Sequence, residues 1–343
     1  MTVVYMIRRG FDSSRVNPLL MLKLFDTCVR PILLYAAELW SVFHIKCNGL
    51  GASTDPYYLE KAFNKFLPED IHTKYCKFVL GVNRYASNVA AKGELGRYPM
   101  AMFAILQAIK FWIHINDPLR NVNSTLSYEA LTHVDSYHPA SFDNHIRSVL
   151  HFFSLDHVYE NKSCTTMSVN SLITTLKSKL MSRYATYFFD MIAGKVVGND
   201  SSNKLRTYMT FKKEYKMENY VLVDVDKHIV SNFARLRISN HILEIERGRY
   251  RNIPADKRFC TICRIPNNHV EDEVHFMCEC ELYKAERCIL FDNIELFVPS
   301  FHVMNNVEKF TFLLGSQEID IIKTCMDNVN TWYERRKSYR PTV

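Results

Sequence analysis

Apolar side chains recur every three or four positions along much of this chain, the spacing that places them on one face of an α-helix. Between Asn17 and Ile45 such positions alternate with charged ones, and Pro31 should kink or split the helix because its ring removes an amide donor. The same spacing predicts helices over 61–67, 71–80, 100–114, 172–193, 217–245 and 319–337. The pattern therefore predicts a mainly α-helical protein.

A segment rich in Gly, Asn, Asp and Ser at 194–203 interrupts this pattern. These residues favour turns over packing, so the segment is a candidate linker between an N-terminal helical body and a C-terminal module.

Four possible metal ligands crowd into a short part of the C-terminal module. Cys260 and Cys263 are separated by two residues, and His275 and Cys280 follow them. Two cysteines at this spacing can point both thiolates at one ion, and a later His and Cys can complete a tetrahedron. Nothing nearby matches the glutamate-assisted helix signature of catalytic zinc sites. The spacing predicts a structural zinc site.

The ligand set is not unique. Cys278 lies two residues before Cys280, and His269 lies between the two halves of the motif, so either could replace a proposed ligand. The alternative interpretation is that the cysteines are unrelated buried thiols and that His275 is an ordinary core or surface histidine.

Charge adds a second candidate site. The chain carries 43 Lys and Arg against 36 Asp and Glu, a net charge of +7 that suits a polyanionic partner. A basic strip precedes the metal motif, and arginines spaced along it could hold successive phosphates while a tyrosine stacks on a base. The strip comprises Arg235, Arg237, Arg247, Arg249, Tyr250, Arg251, Lys257 and Arg258. The alternative is a solvated helix face paired with Glu244 and Glu246.

The chain offers no sequence signal for a membrane or for secretion. Arg8 and Arg9 follow a short apolar run, the reverse of the order in a secretory signal. The apolar stretch 28–43 is interrupted by Arg30, Pro31 and Glu38. We expect an intracellular protein, nuclear or cytoplasmic.

Three segments together resemble one family, the LINE-type (non-LTR) retrotransposon reverse transcriptases. LFDTCVRPILLYAAELW is similar to the palm-to-thumb junction of that family, with Arg30 in place of the usual lysine and Ala36 in place of the usual glycine. HTKYCKFVLGVNRYASNVAAKGELGRYPM resembles its thumb region. The order Cys-x2-Cys, His, Cys-x2-Tyr-x3-Arg, ending at Tyr283 and Arg287, resembles its C-terminal zinc-binding region. The matching residues of the first two segments are Pro31, Leu33, Leu34, Tyr35, Glu38, Trp40, Phe78, Leu80, Gly81, Val82, Gly93, Glu94, Leu95, Gly96 and Pro99.

The resemblance implies how the chain is organised. Residues 1–48 would be a palm-to-thumb junction remnant and 49–120 a thumb-like helical segment. Residues 121–228 would be a helical connecting region containing the linker, and 229–343 the basic segment with the small zinc-binding module.

The family's polymerase centre depends on an adjacent Asp-Asp pair, which holds divalent ions for phosphoryl transfer. No such pair occurs in the 343 residues. We expect Asp224 with Asp226, and the acidic run 271–273, to be surface charge. The resemblance then implies a truncated fragment that binds RNA or DNA, carries structural zinc, uses no small-molecule substrate and is not an enzyme as it stands.

Two other functions remain open. One is a zinc-stabilised protein-interaction module that the host has adopted. The other is an unrelated enzyme that uses a Cys/His pair such as Cys76 and His72, which lie four positions apart on a predicted helix.

Overall fold

Helices dominate the computed structural model of the chain, which describes residues 17–116, 141–160, 168–196, 204–263 and 269–338. Within these ranges no β-strand forms, and the only β-type pairing is two isolated antiparallel bridges, Leu95 with Met217 and Phe259 with Val270. The prediction of a mainly α protein is confirmed. Residues 197–203 of the predicted linker lie outside the described residues.

Sixteen α-helices occupy the described ranges. They are α1 Pro18–Leu24, α2 Arg30–Leu33, α3 Ala37–Ile45, α4 Tyr58–Lys65, α5 Leu67–Leu80, α6 Asn88–Glu94, α7 Met100–Ile115, α8 Phe142–Phe152, α9 Asp156–Glu160, α10 Val169–Ile192, α11 Tyr208–Phe211, α12 Lys227–Arg237, α13 Glu244–Tyr250, α14 Lys284–Glu295, α15 Asn306–Gly315 and α16 Ile319–Ser338. Wider π-helical turns form at Phe25–Val29 and His275–Glu279. Short 3-10 turns form at Cys47–Gly49, Asn219–Leu222, Ala255–Lys257, Glu281–Tyr283 and Pro299–Val303.

The helix around Pro31 is split, as the sequence predicts. The chain widens into the π-helical turn Phe25–Val29, where the amide of Arg30 donates to the carbonyl of Phe25, five residues back. Pro31 then lies in the first turn of the short helix α2, where its missing amide hydrogen costs no internal bond. The left-handed backbone of Ala36 separates α2 from α3.

The chain divides into two units, each built from segments that are distant in sequence. The helical unit comprises Leu24–Lys74 and Tyr98–Tyr187. The metal-site unit comprises Met1–Lys23, Tyr75–Arg97 and Phe188–Val343. The four consecutive segments expected from the sequence stay a prediction.

In the helical unit, α3 packs against α7. Small side chains on both helices allow them to lie close together. Ala37 of α3 and Ala104 and Ala108 of α7 are all fully buried. Trp112, also buried, donates its indole N–H to Asp143 of α8 at 2.7 Å. This bond satisfies the polar atom of a large apolar side chain in the core.

In the metal-site unit, α12 packs against α16. The predicted apolar face of α16 is buried at Ile322, Met326, Val329 and Tyr333. Trp332 is fully buried as well, although its face was not predicted. The long C-terminal helix therefore forms a central part of this core.

Candidate metal centre and basic strip

Cys260, Cys263, His275 and Cys280 converge in the metal-site unit. One potential ligand atom from each of these four residues lies within 4.8 Å of the others. Three of the four side chains are buried and Cys263 is half-buried. The cluster has the donor set of a closed tetrahedral site, with three sulfurs and one imidazole nitrogen.

Two local structures position these ligands. The first is a short antiparallel pairing, in which the amide of Cys260 donates to the carbonyl of His269 at 2.9 Å. The second is the π-helical turn at His275–Glu279, closed by a 2.8 Å bond from the amide of Cys280 to the carbonyl of His275. The amide of Glu281 also points at the Cys263 sulfur at 3.4 Å, which favours a thiolate there.

Residues outside the ligand set hold these turns in place. Arg287 donates to the carbonyl of Cys280 at 2.7 Å. Arg336 forms a two-pronged ion pair with Glu271 at 2.7 and 3.0 Å. Glu271 in turn lies 3.9 Å from the Cys260 sulfur. Sequence reasoning missed Arg336 and Glu271, because no local pattern links residues 65 positions apart.

The electrostatics of the cluster favour a bound cation. The pKa of Cys260 is lowered to about 3, chiefly by a hydrogen bond from Cys280. That same bond is the main reason that the pKa of Cys280 is raised, and burial raises the pKa of Cys263. The protein alone therefore favours a thiolate at Cys260 and disfavours one at Cys280 and at Cys263. A divalent cation would supply the charge that lets all three ionise.

The imidazole of His275 is also incomplete without a further partner. It is 3% exposed, and neither ring nitrogen has a hydrogen-bond partner among the described residues. Its Nδ1 lies 3.4 Å from a carboxylate oxygen of Glu279 without bonding geometry. Buried polar atoms rarely stay unsatisfied, so a metal ligand role fits this side chain.

The two possible replacement ligands lie outside this cluster of four. Cys278 is buried elsewhere, and burial raises its pKa to about 12. His269 is exposed and stacks on His275 with ring centroids 5.6 Å apart. It belongs to a second grouping with His275 and Glu279.

The exposed end of the basic strip is largely paired with carboxylates. Arg247 and Arg251 both contact Glu244, and Arg249 lies 3.9 Å from Glu246. Three arginines of the strip thus have the glutamate partners that the alternative interpretation names, although Glu244 and Glu246 are themselves buried.

Other members of the strip lie elsewhere. Tyr250 is 72% exposed and Lys257 is exposed. Arg258 donates to the carbonyl of Ile253 at 2.8 Å, and Arg235 donates to that of Gly81 at 2.8 Å. These two guanidinium groups brace the backbone.

Arg237 does not lie on the surface, where a contact with nucleic acid was predicted for it. It is 1% exposed and pairs with Glu94 at 2.7 Å and with Glu218 at 2.9 Å. Its guanidinium also lies over the ring of Phe211. Arg237 is removed from any surface that a nucleic acid could reach in this conformation.

The acidic run 271–273 is likewise not the surface charge that the sequence predicts. Glu271 is 2% exposed and Glu273 is fully buried. The prediction was wrong because both carboxylates have buried cationic or polar partners. Glu273 contacts Arg206 at 2.7 Å and His241 at 2.9 Å, and these bonds outweigh burial and lower its pKa to about 2.

The candidate enzyme pair gains no access to solvent. Cys76 is fully buried and His72 is 1% exposed, with its ring 5.2 Å from that of Phe25. A substrate could not reach the thiol without displacing core side chains.

No family model matches the chain, and no curated protein or solved structure matches it either. In the part of the chain that is described, each helix is too short or too polar to cross a bilayer.

Proposed function

We propose that this chain binds RNA or DNA through a zinc-stabilised module similar to the C-terminal region of LINE-type reverse transcriptases, and that it does not itself polymerise. The convergence of Cys260, Cys263, His275 and Cys280 carries the proposal. Arg287 supports it, because it braces a ligand at the position where the motif of that family has its arginine.

Zinc is the metal that this donor set fits best. Three thiolates and one imidazole satisfy its tetrahedral preference, and four protein ligands leave no open position for a catalytic water. The role of the ion would then be structural. It would tie the turn at Cys260–Cys263 to the turn at His275–Cys280.

Exposed cationic and aromatic side chains next to this module support nucleic-acid binding. Lys257 precedes the first cysteine by three residues and Tyr250 precedes it by ten, and both face solvent. Arg247 and Arg251 are about half-exposed despite their ion pairs. Such side chains could contact phosphates and an unstacked base.

Replacing Cys263 with serine tests the zinc site. We expect the purified variant to lose its one equivalent of zinc and to lose protection from hydrogen exchange over 255–295, because metal binding and folding are coupled in such sites. Cys288→Ser is the matched control, since Cys288 is exposed and outside the cluster. Equal zinc content and equal protection in the two variants would refute the site.

Binding and polymerisation are tested separately on the full chain. We expect labelled single-stranded RNA and DNA to bind with an affinity that falls steeply as salt rises. A primed template with nucleotides and Mg²⁺ should stay unextended. Binding that ignores salt, or extension of the primer, would contradict the proposal.

A protein-interaction module is the second candidate, and one observation favours it. Side chains around α14 and α15 expose much apolar surface, with Leu296 at 82%, Val303 at 72% and Phe297 at 60%. Exposed apolar side chains of this kind are typical of protein-binding surfaces. Zinc-dependent association with a protein, without salt-sensitive nucleic-acid binding, would favour this function.

A further inference from the structure

A cleft of about 540 Å³ opens in the metal-site unit, and none of Arg247, Arg249, Tyr250, Arg251 and Lys257 lines it. One face of α12 forms a wall, the end of α5 and the turn after it form the floor, and the last turns of α16 form the rim. Lys227 and Arg235 project from the wall, Phe78 and Gly81 lie in the floor, and Glu334 and Lys337 lie on the rim.

The cleft carries an excess of positive charge. Lys227, Arg235 and Lys337 line it together with a single carboxylate, Glu334. Glu334 bonds to Lys337 at 2.7 Å. Within the described residues the guanidinium of Arg235 has no carboxylate within 4 Å, and it donates to the neutral carbonyl of Gly81. The charge of Arg235 is thus not cancelled locally, unlike the charges of Arg247 and Arg251.

The backbone around Gly81 holds Arg235 in a fixed position. Gly81 has a φ of +65°, and a Cβ atom at this position would lie 1.9 Å from the hydroxyl oxygen of Ser231. The side chains of Asn83 and Asn240 bond to each other at 2.9 Å and stabilise the turn that follows. Arg235 donates hydrogen bonds to the Gly81 carbonyl from both Nε and Nη2. A cation that is held before binding loses little conformational entropy when a ligand arrives.

We propose that this cleft binds the phosphate backbone of a nucleic-acid strand, with Lys227, Arg235 and Lys337 as the contacting cations. The inference rests on the proposed nucleic-acid function and adds Lys227 and Lys337, which the basic strip does not contain.

The spacing of the cations favours an extended polyanion over a single phosphate. Lys227 and Arg235 are eight residues apart on α12, which is about 12 Å along the helix axis. The ammonium of Lys227 lies 4.3 Å from the centre of the Phe78 ring, so that the apolar floor supports its stem and its charge. A strand with one charge per nucleotide can meet both cations at once, whereas an isolated phosphate cannot.

Charge-neutralising substitutions in the full chain test the proposal. The double variant Lys227→Gln/Lys337→Gln removes two cations from the cleft, and Lys227→Arg/Lys337→Arg keeps them. Lys323→Gln is the matched control, because Lys323 is an exposed lysine on the same helix as Lys337. Anisotropy of a labelled single-stranded RNA is followed from low to moderate salt, with polyglutamate as a competitor of matched charge.

We expect the slope of log affinity against log salt to become shallower by about 1.4 in the glutamine double variant, at about 0.7 per phosphate contact. The arginine variant and Lys323→Gln should retain the slope of the unaltered protein. If the glutamine double variant behaves like Lys323→Gln while the unaltered protein binds RNA, the cleft proposal is wrong and the proposed function stands. If polyglutamate displaces RNA at equal charge, the cleft is not a phosphate site. If the unaltered protein binds no RNA or DNA at any salt, both proposals are overturned.

Discussion

Replacing Arg237 with methionine removes a charge from the interior of the metal-site unit and leaves its partners in place. The guanidinium contacts both carboxylate oxygens of Glu94, one oxygen of Glu218 and the carbonyl of Leu314. Burial alone would raise the pKa of Glu94, but the charge and hydrogen bonds of Arg237 outweigh it and the pKa is lowered. In the variant, Lys212 would be the remaining cation bonded to these carboxylates, at 2.5 Å from Glu218.

The cost follows from Glu94, whose carboxylate loses the cation that is bonded to it. In the variant, Glu94 would take up a proton rather than stay charged in the core. Keeping a carboxyl of ordinary pKa 4.5 neutral at pH 7 costs about 3 kcal/mol. This figure lies at the low end of the roughly 3–5 kcal/mol expected for breaking a buried ion pair. At pH 5 the same protonation costs less than about 1 kcal/mol, because the unfolded carboxyl is then closer to its own pKa.

Hydrogen exchange measured by mass spectrometry reports the local free energy of opening. It is followed in peptides from α6 and α12 at pH 5 and pH 7, with a correction for the intrinsic exchange rates. In Arg237→Met we expect the pKa of Glu94 in the folded state to lie above its value of 4.5 in the unfolded state, so that stability is lost as the pH rises. The variant should therefore lose more stability at pH 7 than at pH 5. Arg237→Met/Glu94→Gln should recover part of the loss, since the glutamine needs no proton. An equal loss at both pH values, or none, would refute the reasoning.

Two further predictions concern single side chains. His145 is 2% exposed and accepts a hydrogen bond from the Asn48 amide, and burial lowers its pKa from 6.5 to about 4. The free energy of unfolding should therefore fall by up to about 3 kcal/mol as the pH drops from 6.5 to 4. Urea unfolding between pH 7 and pH 4 measures this, and an equal slope in His145→Gln would contradict it. Gly81→Ala should destabilise by about 1–3 kcal/mol, because the backbone is left-handed and Ser231 fills the space, whereas Gly51→Ala has open space and should be neutral. Matching urea midpoints for the two alanine variants would show that Ser231 moves aside at no cost.

Local patterns predicted much of this fold. Helix α7 could be located because its apolar residues form a face that does not depend on knowing its partner. The split around Pro31 followed from the chemistry of one residue. The metal cluster could be predicted because Cys260 and Cys263 have the spacing at which both thiolates reach one ion, and His275 and Cys280 follow within a short stretch of chain.

Long-range pairing could not be predicted in this way. Arg237 and Glu94 are 143 positions apart, so each looks like ordinary surface charge when only its neighbours are considered. The same holds for Arg336, which belongs to a basic run but is buried against Glu271. The division into two discontinuous units depends on such contacts as well.

Pairing, more than the number of charges, decides where a polyanion gains energy on this protein. A phosphate that approaches Arg251 must compete with Glu244, a carboxylate already in contact, so exchanging one anion for the other gains little. Arg235 offers the same guanidinium with only a carbonyl as its partner, and it is held by Gly81 before any ligand arrives. Because a carbonyl does not cancel a full charge, the attraction for phosphate is greater at Arg235 for the same residue type. This difference between Arg235 and Arg251 is the reason that we propose the phosphate site in the cleft beside α12.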